Sequence, residues 1–327
     1  MKAAYFEAYG PAAEVLKIGE QDTSEPGDGE VRVRLHASAV NPSDVKKRAG
    51  LQPAPIDQGY VIPHSGGAGV IDAVGPSVPD SRIGERVWVY QAQYQRRFGT
   101  AAEYVTLPAL RCVHLPENVD FEVGACMGIP AMTSHRCVFA DGSVDGKTVY
   151  ITGAAGRVGY YAVQWAKWGG ARVIATASSE ERARHARDAG ADHVLNYRSD
   201  DLVGAVNNIT SGSGVDRVID VEFGANLPTV LKLIRTGGVI ATYSSTLVPE
   251  PTLPFYPVMF KAITVRFTLV YAMPESAKQQ AADDITRLLQ EGKLMHRIAE
   301  RHPLGDTAKA HEAIERRGTP GCVVVGI

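Results

Sequence analysis

The 327-residue chain is 45% hydrophobic and 21% charged, with 34 Lys and Arg against 36 Asp and Glu and a formal charge of −2. A near-neutral chain without a long basic run offers no nucleic-acid or anionic-membrane face, no stretch of about 18 apolar residues reads as a membrane span, and the opening Met1-Lys-Ala-Ala-Tyr-Phe-Glu lacks the apolar core of a signal peptide. Four scattered cysteines (Cys112, Cys126, Cys137, Cys322) and nine histidines without a His-x-x-x-His pair exclude a disulfide frame and a clustered structural metal site. A cytoplasmic globular protein of two domains is expected.

Residues 1 to about 120 are β-rich. Short strands are expected at 2–6, 30–39, 69–74, 85–89 and 102–106, split by turn clusters such as Glu25-Pro-Gly-Asp-Gly and Gly75-Pro-Ser-Val-Pro. This pattern fits a partly open barrel. Asn41-Pro-Ser-Asp reads as a loop entering a short helix stopped by Gly50, and 52–67 as an irregular loop, where sites tend to lie.

From about Asp120 the style changes. Helices at 121–129 and 131–138 precede strictly alternating elements: strands at 149–152, 172–177, 193–196, 216–221 and 239–243, with helices at 180–189, 201–209 and 226–234, the last stopped by Gly237-Gly238. Alternation with short connections specifies a parallel doubly wound sheet. The Pro-rich run 248–257 is expected to be a loop, and 263–269 one more strand. Helices at 275–290 and from Asp306 to Arg317, then a strand at 322–327, return the chain to the first domain, so the nucleotide domain is an insertion.

The stretch that carries the chemistry is Thr148-Val-Tyr-Ile-Thr-Gly-Ala-Ala-Gly-Arg-Val-Gly. A buried strand runs through Gly153, Gly156 and Gly159 into a helix, the layout that brings backbone N–H groups and a helix N-terminus against a dinucleotide pyrophosphate. Ala155, Arg157 and Val158 belong to the same loop, and Arg157 sets a cation beside the phosphates. The spacing is Gly-x-x-Gly-x-x-Gly, which a plain glycine-rich βα turn also satisfies. Where an NAD site carries an acidic residue at the second strand's tip, this chain has Ala175-Thr-Ala-Ser-Ser. Ser178, with Arg182 one turn on, suits a 2′-phosphate; the alternative is an Arg182 paired with Glu180 or Glu181. NADPH is the expected cofactor.

Several pieces in this order carry a resemblance: Met1-Lys-Ala-Ala, Val40-Asn-Pro-Ser-Asp, Gly67-Ala-Gly-Val-Ile-Asp-Ala-Val-Gly, Gly84-Glu-Arg-Val, Phe98-Gly-Thr-Ala-Ala-Glu-Tyr, the glycine loop, Ala189-Gly-Ala-Asp-His-Val-Leu-Asn-Tyr-Arg and Gly237-Gly-Val-Ile. Over essentially its whole length the chain resembles the zinc-free quinone oxidoreductases, the zeta-crystallin-like branch of the medium-chain dehydrogenase/reductases. The resemblance implies a GroES-like β-barrel catalytic domain (1–122 and 266–327) interrupted by a Rossmann domain (123–265), assembled as a homodimer or homotetramer. It implies 2′-phosphate contacts at Ser178, Arg182, Tyr197 and Arg317. It also implies cofactor contacts at Tyr243, Ser244 and Ser245, a backbone segment meeting the nicotinamide amide at Phe267 to Leu269, and Thr133 near the nicotinamide. Zinc-dependent relatives carry a metal-binding Cys where this chain has Asn41 and a His-Glu pair at Ser65-Gly66. His64, one position off, reads as a lone loop histidine, and no metal is expected.

The chemistry that fits is hydride transfer from NADPH to an electrophilic small-molecule acceptor, a quinone or α,β-unsaturated carbonyl, in a cleft between the domains. Asn41 either orients the acceptor or ribose hydroxyls or simply fixes the loop before Pro42. Tyr60 and Tyr94 either line the pocket or pack. No general acid stands out. An enoyl-thioester or alkenal reductase and a catalytically silent NADPH-binding protein are the competing readings.

Overall fold

The computed structural model describes every residue except Arg317. The chain divides into two compact units, Met1–Ile129 with Ala282–Ile327, and Pro130–Ala281.

The first unit begins with strand β1 (Lys2–Tyr5), helix α1 (Ala12–Val15), strands β2 (Lys17–Glu20) and β3 (Glu30–Val40), and helix α2 (Pro42–Arg48). Strands β4 (Gly66–Val74), β5 (Arg86–Val89), β6 (Tyr104–Pro108) and β7 (Cys112–His114) follow, then helix α3 (Phe121–Ala125). Along β3, Val31, Val33, Leu35 and Ala37 are buried while Arg32, Arg34 and His36 point away, the period-two pattern of a strand with one face on a core. Val87, Val89 and Leu107 complete that core. The stretch 52–67 holds one 3₁₀ turn (Ile56–Gln58), and its last two residues, Gly66 and Gly67, already belong to β4.

A π-helical turn at Met127–Ala131 around Pro130 leads into α4 (Met132–Phe139). Then come β8 (Thr148–Ile151), α5 (Arg157–Trp168), β9 (Arg172–Ala177), α6 (Glu180–Asp188), β10 (His193–Asn196), α7 (Leu202–Thr210), β11 (Val215–Asp220) and α8 (Phe223–Leu233). The second unit ends with β12 (Ile234–Thr242), α9 (Phe255–Phe260), β13 (Thr264–Phe267) and the start of α10 (Glu275–Gln290). Its sheet has the order β10-β9-β8-β11-β12-β13, and every pairing is parallel. β13 is the sixth strand of this sheet, so Arg266 and Phe267 sit with the second unit and not, as a boundary at 265 would have it, with the first.

Two local expectations fail here for physical reasons. Gly237-Gly238 does not stop a helix: α8 ends at Leu233, and the glycines lie inside β12, where Ile234 pairs Val215 and Val239 pairs Arg217. Extra residues on one strand must bulge, and Gly237 does so at φ +74°. The Pro-rich run is not all loop. Pro257 occupies the first turn of α9, where a missing N–H costs nothing because no helical carbonyl precedes it.

The chain returns to the first unit through β14 (Ile298–Pro303), α11 (Thr307–Glu315) and β15 (Cys322–Gly326). β15 pairs antiparallel with β3 and parallel with β14, completing the sheet β14-β15-β3-β4-β5-β7, with β6 paired on β3. Ala310 and Ala313 of α11 pack on Val40, Val323 and Val325.

Candidate active site

In the second unit, the candidate cofactor residues gather where an open parallel sheet binds ligands, just past the carboxyl ends of its strands. Gly153, Ala155, Gly156, Arg157, Val158 and Gly159 follow β8, Ser178 follows β9, Tyr197 follows β10, Tyr243 to Ser245 follow β12, and Phe267 to Leu269 end and follow β13. The strand order reverses at β8, between β9 and β11. The turn geometry there fits a dinucleotide. Gly153 is left-handed at φ +60°. A Cβ on Gly159 would lie 2.3 Å from the Gly153 carbonyl oxygen, so only glycine lets α5 start this close to the strand. No side chain caps α5, so its first-turn amides and positive end are available to an anion.

At the tip of β9, Arg182 Nη1 donates to Ser178 Oγ at 2.9 Å. Ser179 caps α6 by accepting from the Arg182 amide at 3.4 Å. The carboxylate of Glu180 takes Arg187 at 2.7 Å. Tyr197 is tied to the same tip by its amide, which donates to the Ala177 carbonyl at 3.1 Å, and its ring is 48% exposed. A hydroxyl and a guanidinium thus stand in contact at a strand tip without a carboxylate, with an exposed tyrosine on the adjoining loop, a donor set suited to a phosphate. Arg317 lies outside the described residues.

The other cofactor candidates are spread over separate elements. Thr133 is buried in the first turn of α4. Desolvation, with Cys137 and Asp220 adding to it, raises the Tyr243 phenol well above its usual range, and the charge of Arg157 opposes this. Ser245 Oγ accepts from the Gly224 amide at 2.9 Å and so ties the loop to the start of α8; the Ser244 carbonyl accepts from the Phe223 amide at 3.0 Å. Phe267 is 72% exposed and stacks edge-on with Phe223 at 5.4 Å.

Sequence reasoning passed over Thr152 and Asp220, which sit at the point where the strand order reverses. Thr152 Oγ1 donates to Asp220 Oδ1 at 2.6 Å, and the same oxygen accepts from Asn226 Nδ2 at 2.8 Å and the Glu222 amide at 3.1 Å. Their place at the ends of two adjacent parallel strands was the available signal.

In the first unit, Asn41 N-caps α2 in a capping box with Asp44; its amide donates to Asp44 Oδ2 at 2.8 Å. Its side chain is 3% exposed, and Nδ2 donates to the Ala39 carbonyl at 3.4 Å. Asp44 Oδ1 has no hydrogen-bond partner among the described residues. Burial lifts the Asp44 carboxyl to about 6, against the pull of Lys47 and Asn41. One turn on, Lys47 Nζ donates to Gln93 Oε1 at 2.5 Å. Tyr60 packs between Tyr5 and Phe98.

His64 is not a lone loop histidine. It is fully buried at φ +78°, with Ser38 Oγ 2.8 Å from Nδ1 and His311 Nε2 2.9 Å from Nε2. Thr100 Oγ1 donates to the Gly66 carbonyl at 2.7 Å, so in its 2.7 Å contact with Ser38 the Ser38 hydroxyl must be the donor. Ser38 then accepts from His64 Nδ1–H, leaving His64 Nε2 to accept from His311 Nε2–H. Burial pushes His64 down to about 3. Burial, His64 and Arg48 push His311 well below its usual value. Both rings are therefore neutral at pH 7. With both ring nitrogens of His64 engaged and an amide at position 41, the donor set does not fit zinc. Among the described residues no three His, Cys, Asp or Glu side chains gather to hold a metal ion.

The alcohol dehydrogenase GroES-like domain model matches residues 27–117, and the zinc-binding dehydrogenase model matches 158–287. A quinone oxidoreductase of Pseudomonas aeruginosa is 32% identical over 99% of both chains. A 2-haloacrylate reductase of a Burkholderia species is 30% identical over 95% of this chain and 93% of its own. Among solved structures, an NAD-dependent alcohol dehydrogenase (32% identity) and the Escherichia coli quinone oxidoreductase in complex with NADPH (26%) each superpose with a TM-score of 0.88 over the whole of both chains. With an NAD(P)-binding Rossmann sheet inserted in a GroES-like unit, the chain belongs to the medium-chain dehydrogenase/reductases, in the quinone oxidoreductase branch, and is an oxidoreductase.

Proposed function

We propose that this chain is an NADPH-dependent reductase of quinones or α,β-unsaturated carbonyls. The observation that carries the cofactor half is the Ser178–Arg182 contact at the carboxylate-free tip of β9. The test is steady-state turnover of a small quinone and an enone with each cofactor, followed at 340 nm. A clear preference for NADPH is expected; equal use of NADH would refute it.

The residues divide the work. The amides of the Gly153–Gly159 loop hold the pyrophosphate. Arg182, Ser178 and Tyr197, joined by Arg317, hold the 2′-phosphate. Tyr243 to Ser245, Thr133 and the backbone of Phe267 to Leu269 position the nicotinamide end. When bound, the cofactor supplies a hydride to an acceptor already electrophilic through its own carbonyl, so the protein need only orient that carbonyl and stabilise its oxygen. Asn41 contributes by fixing the start of α2.

The 2-haloacrylate reductase relative favours a second reading, in which the acceptor is an activated alkene rather than a quinone; kcat/KM for a quinone, an enone and an enoyl thioester ranks them. NADPH binding without turnover of any acceptor would instead mark a silent binding protein. We further propose a cytoplasmic homodimer or homotetramer. β13 is an edge strand, and nearby α9 exposes Phe255, Tyr256 and Phe260 at 64, 63 and 73%, an apolar surface that association would cover. Sedimentation showing a monomer at micromolar concentration would refute it.

A further inference from the structure

Asp220 ends β11, which opens the half of the second unit's sheet formed by β11, β12 and β13, across the reversal from β8, β9 and β10. Its backbone carbonyl accepts from the Thr242 hydroxyl at 3.1 Å and the Tyr243 amide at 3.3 Å, and so holds the start of the loop after β12. Its side chain is 1% exposed. Oδ1 takes Thr152 Oγ1, the Glu222 amide and Asn226 Nδ2, while Oδ2 has no hydrogen-bond partner among the described residues. All of these groups belong to the second unit. An asparagine would hold the same three donors through its one carbonyl oxygen, so the carboxylate brings a charge that the local fold does not use. The positive end of α8 lies beside it through the Glu222 amide. No Lys, Arg or His is among its partners, however, and a buried charge without a countercharge is costly. Ionisable groups kept in that condition at a crevice mark functional sites.

The charge acts on both sides of β11. Burial first, and Asp220 second, raise the Tyr150 phenol of β8; after burial and Cys137, Asp220 adds to the rise at Tyr243. In a doubly wound sheet each half takes one mononucleotide. With the 2′-phosphate on Ser178 and Arg182 at the tip of β9, the nicotinamide falls to the half that Asp220 opens. We infer that Asp220 sets the redox preference of the cofactor site: its charge favours the oxidised, cationic nicotinamide over the reduced, neutral one, an inference that rests on the NADPH reading above. Hydride donation carries two electrons and a proton from the ring to the acceptor and leaves the ring with one positive charge, while the phosphate charges are the same before and after. The buried anion therefore acts on the difference between the two forms, by its field through the low dielectric of the protein and without contact. Tighter binding of the oxidised form makes the reduced form a stronger hydride donor, which drives the reaction toward acceptor reduction.

The test uses the full chain and measures binding, with Kd for NADPH from its fluorescence and Kd for NADP+ by displacement. Asp220→Asn keeps the Oδ1 acceptor and removes the charge. The ratio of Kd for NADP+ to Kd for NADPH is expected to rise about tenfold, which is about 30 mV in the potential of the bound couple. A displaced glycine loop or relief of phosphate repulsion would shift both constants together and leave the ratio alone. Asn226→Lys sets an ammonium against the carboxylate, which stays in place, and covers the case in which D220N misfolds; the ratio is expected to rise there too. Thr152→Val breaks one hydrogen bond to Asp220 but keeps the charge, and is expected to leave the ratio at its wild-type value. An unchanged ratio in folded D220N or N226K, or a T152V shift as large as that of D220N, overturns the inference. A wild type that prefers NADH would sink the NADPH reading instead, and the same ratio measured with NAD+ and NADH would still decide the role of Asp220. A wild type that binds neither dinucleotide overturns both.

Discussion

The buried His64–His311 pair makes the first unit sensitive to acid by an amount that can be worked out. Both rings are held neutral in the folded state, His64 down to about 3 and His311 well below its usual value, whereas an unfolded histidine titrates near 6.5. A folded pKa below the unfolded one means the unfolded chain takes up protons first. Stability is therefore full above about pH 6.5 and lost as pH falls toward 3. Between pH 8 and pH 5 His64 removes about 2 kcal/mol, because a ring with a folded value of about 3 is still neutral at pH 5. His311 is pushed in the same direction and adds a loss of the same sign. The total stability of most domains is about 5–15 kcal/mol. Arg48, whose charge acts on His311, is itself bonded to Glu315 and the Gly10 carbonyl. The assay is urea unfolding at pH 8 and pH 5 in a Trp165→Phe/Trp168→Phe background, where Trp88 alone reports on the first unit. His311→Gln is expected to shrink the pH-dependent loss. An identical loss in wild type and variant would refute the neutral-pair reasoning.

Arg182→Ala should remove charge-assisted hydrogen bonds of about 1.5–3 kcal/mol, raising KM for NADPH about 10- to 150-fold while leaving KM for NADH alone; parallel losses with both cofactors would refute the 2′-phosphate role. Gly159→Ala sets a Cβ 2.3 Å from a backbone oxygen and 2.9 Å from Ala154 Cα. Backbone yields poorly, so a loss of about 1–3 kcal/mol is expected, with weaker NADPH binding by fluorescence titration; wild-type values of both would refute the close-approach argument. All four cysteines are buried, and burial pushes Cys112 and Cys137 up to about 12. Iodoacetamide at pH 8 should label native protein hardly at all and take four equivalents in guanidinium, read by intact mass.

What could be read in the chain was what neighbouring residues encode. The buried strand β9 and the helix α10 have the bounds their patterns predict, because a strand covered on both faces is a continuous apolar run and an amphipathic helix repeats every 3.6 residues. Ser178 and Arg182 were readable for the same reason, four residues apart across one helix start. β2, β7 and β14 were not. β14, Ile-Ala-Glu-Arg-His-Pro, is an edge strand half open to water, so its sequence carries no apolar signal. Gly237-Gly238 shows a second kind of limit, since a helix stop and a strand bulge ask for the same residue, and only the pairing of Val215 with Ile234 decides between them.

The first unit's polar cluster marks the deeper limit. His64 and His311 are 247 positions apart and Lys47 and Gln93 are 46 apart, with no periodicity linking them. The antiparallel sheet brings them together, because β15 returns from the far end of the chain to lie against β3. In a parallel βα unit the glycine turn, the helix start and the next strand tip follow one another along the chain, so a phosphate site is written locally. In a barrel closed by distant strands, a buried polar contact is written nowhere in particular, and a histidine isolated in sequence can be half of a pair. Composition cannot separate those two cases; only the tautomer chain that Thr100 fixes from the Gly66 carbonyl does.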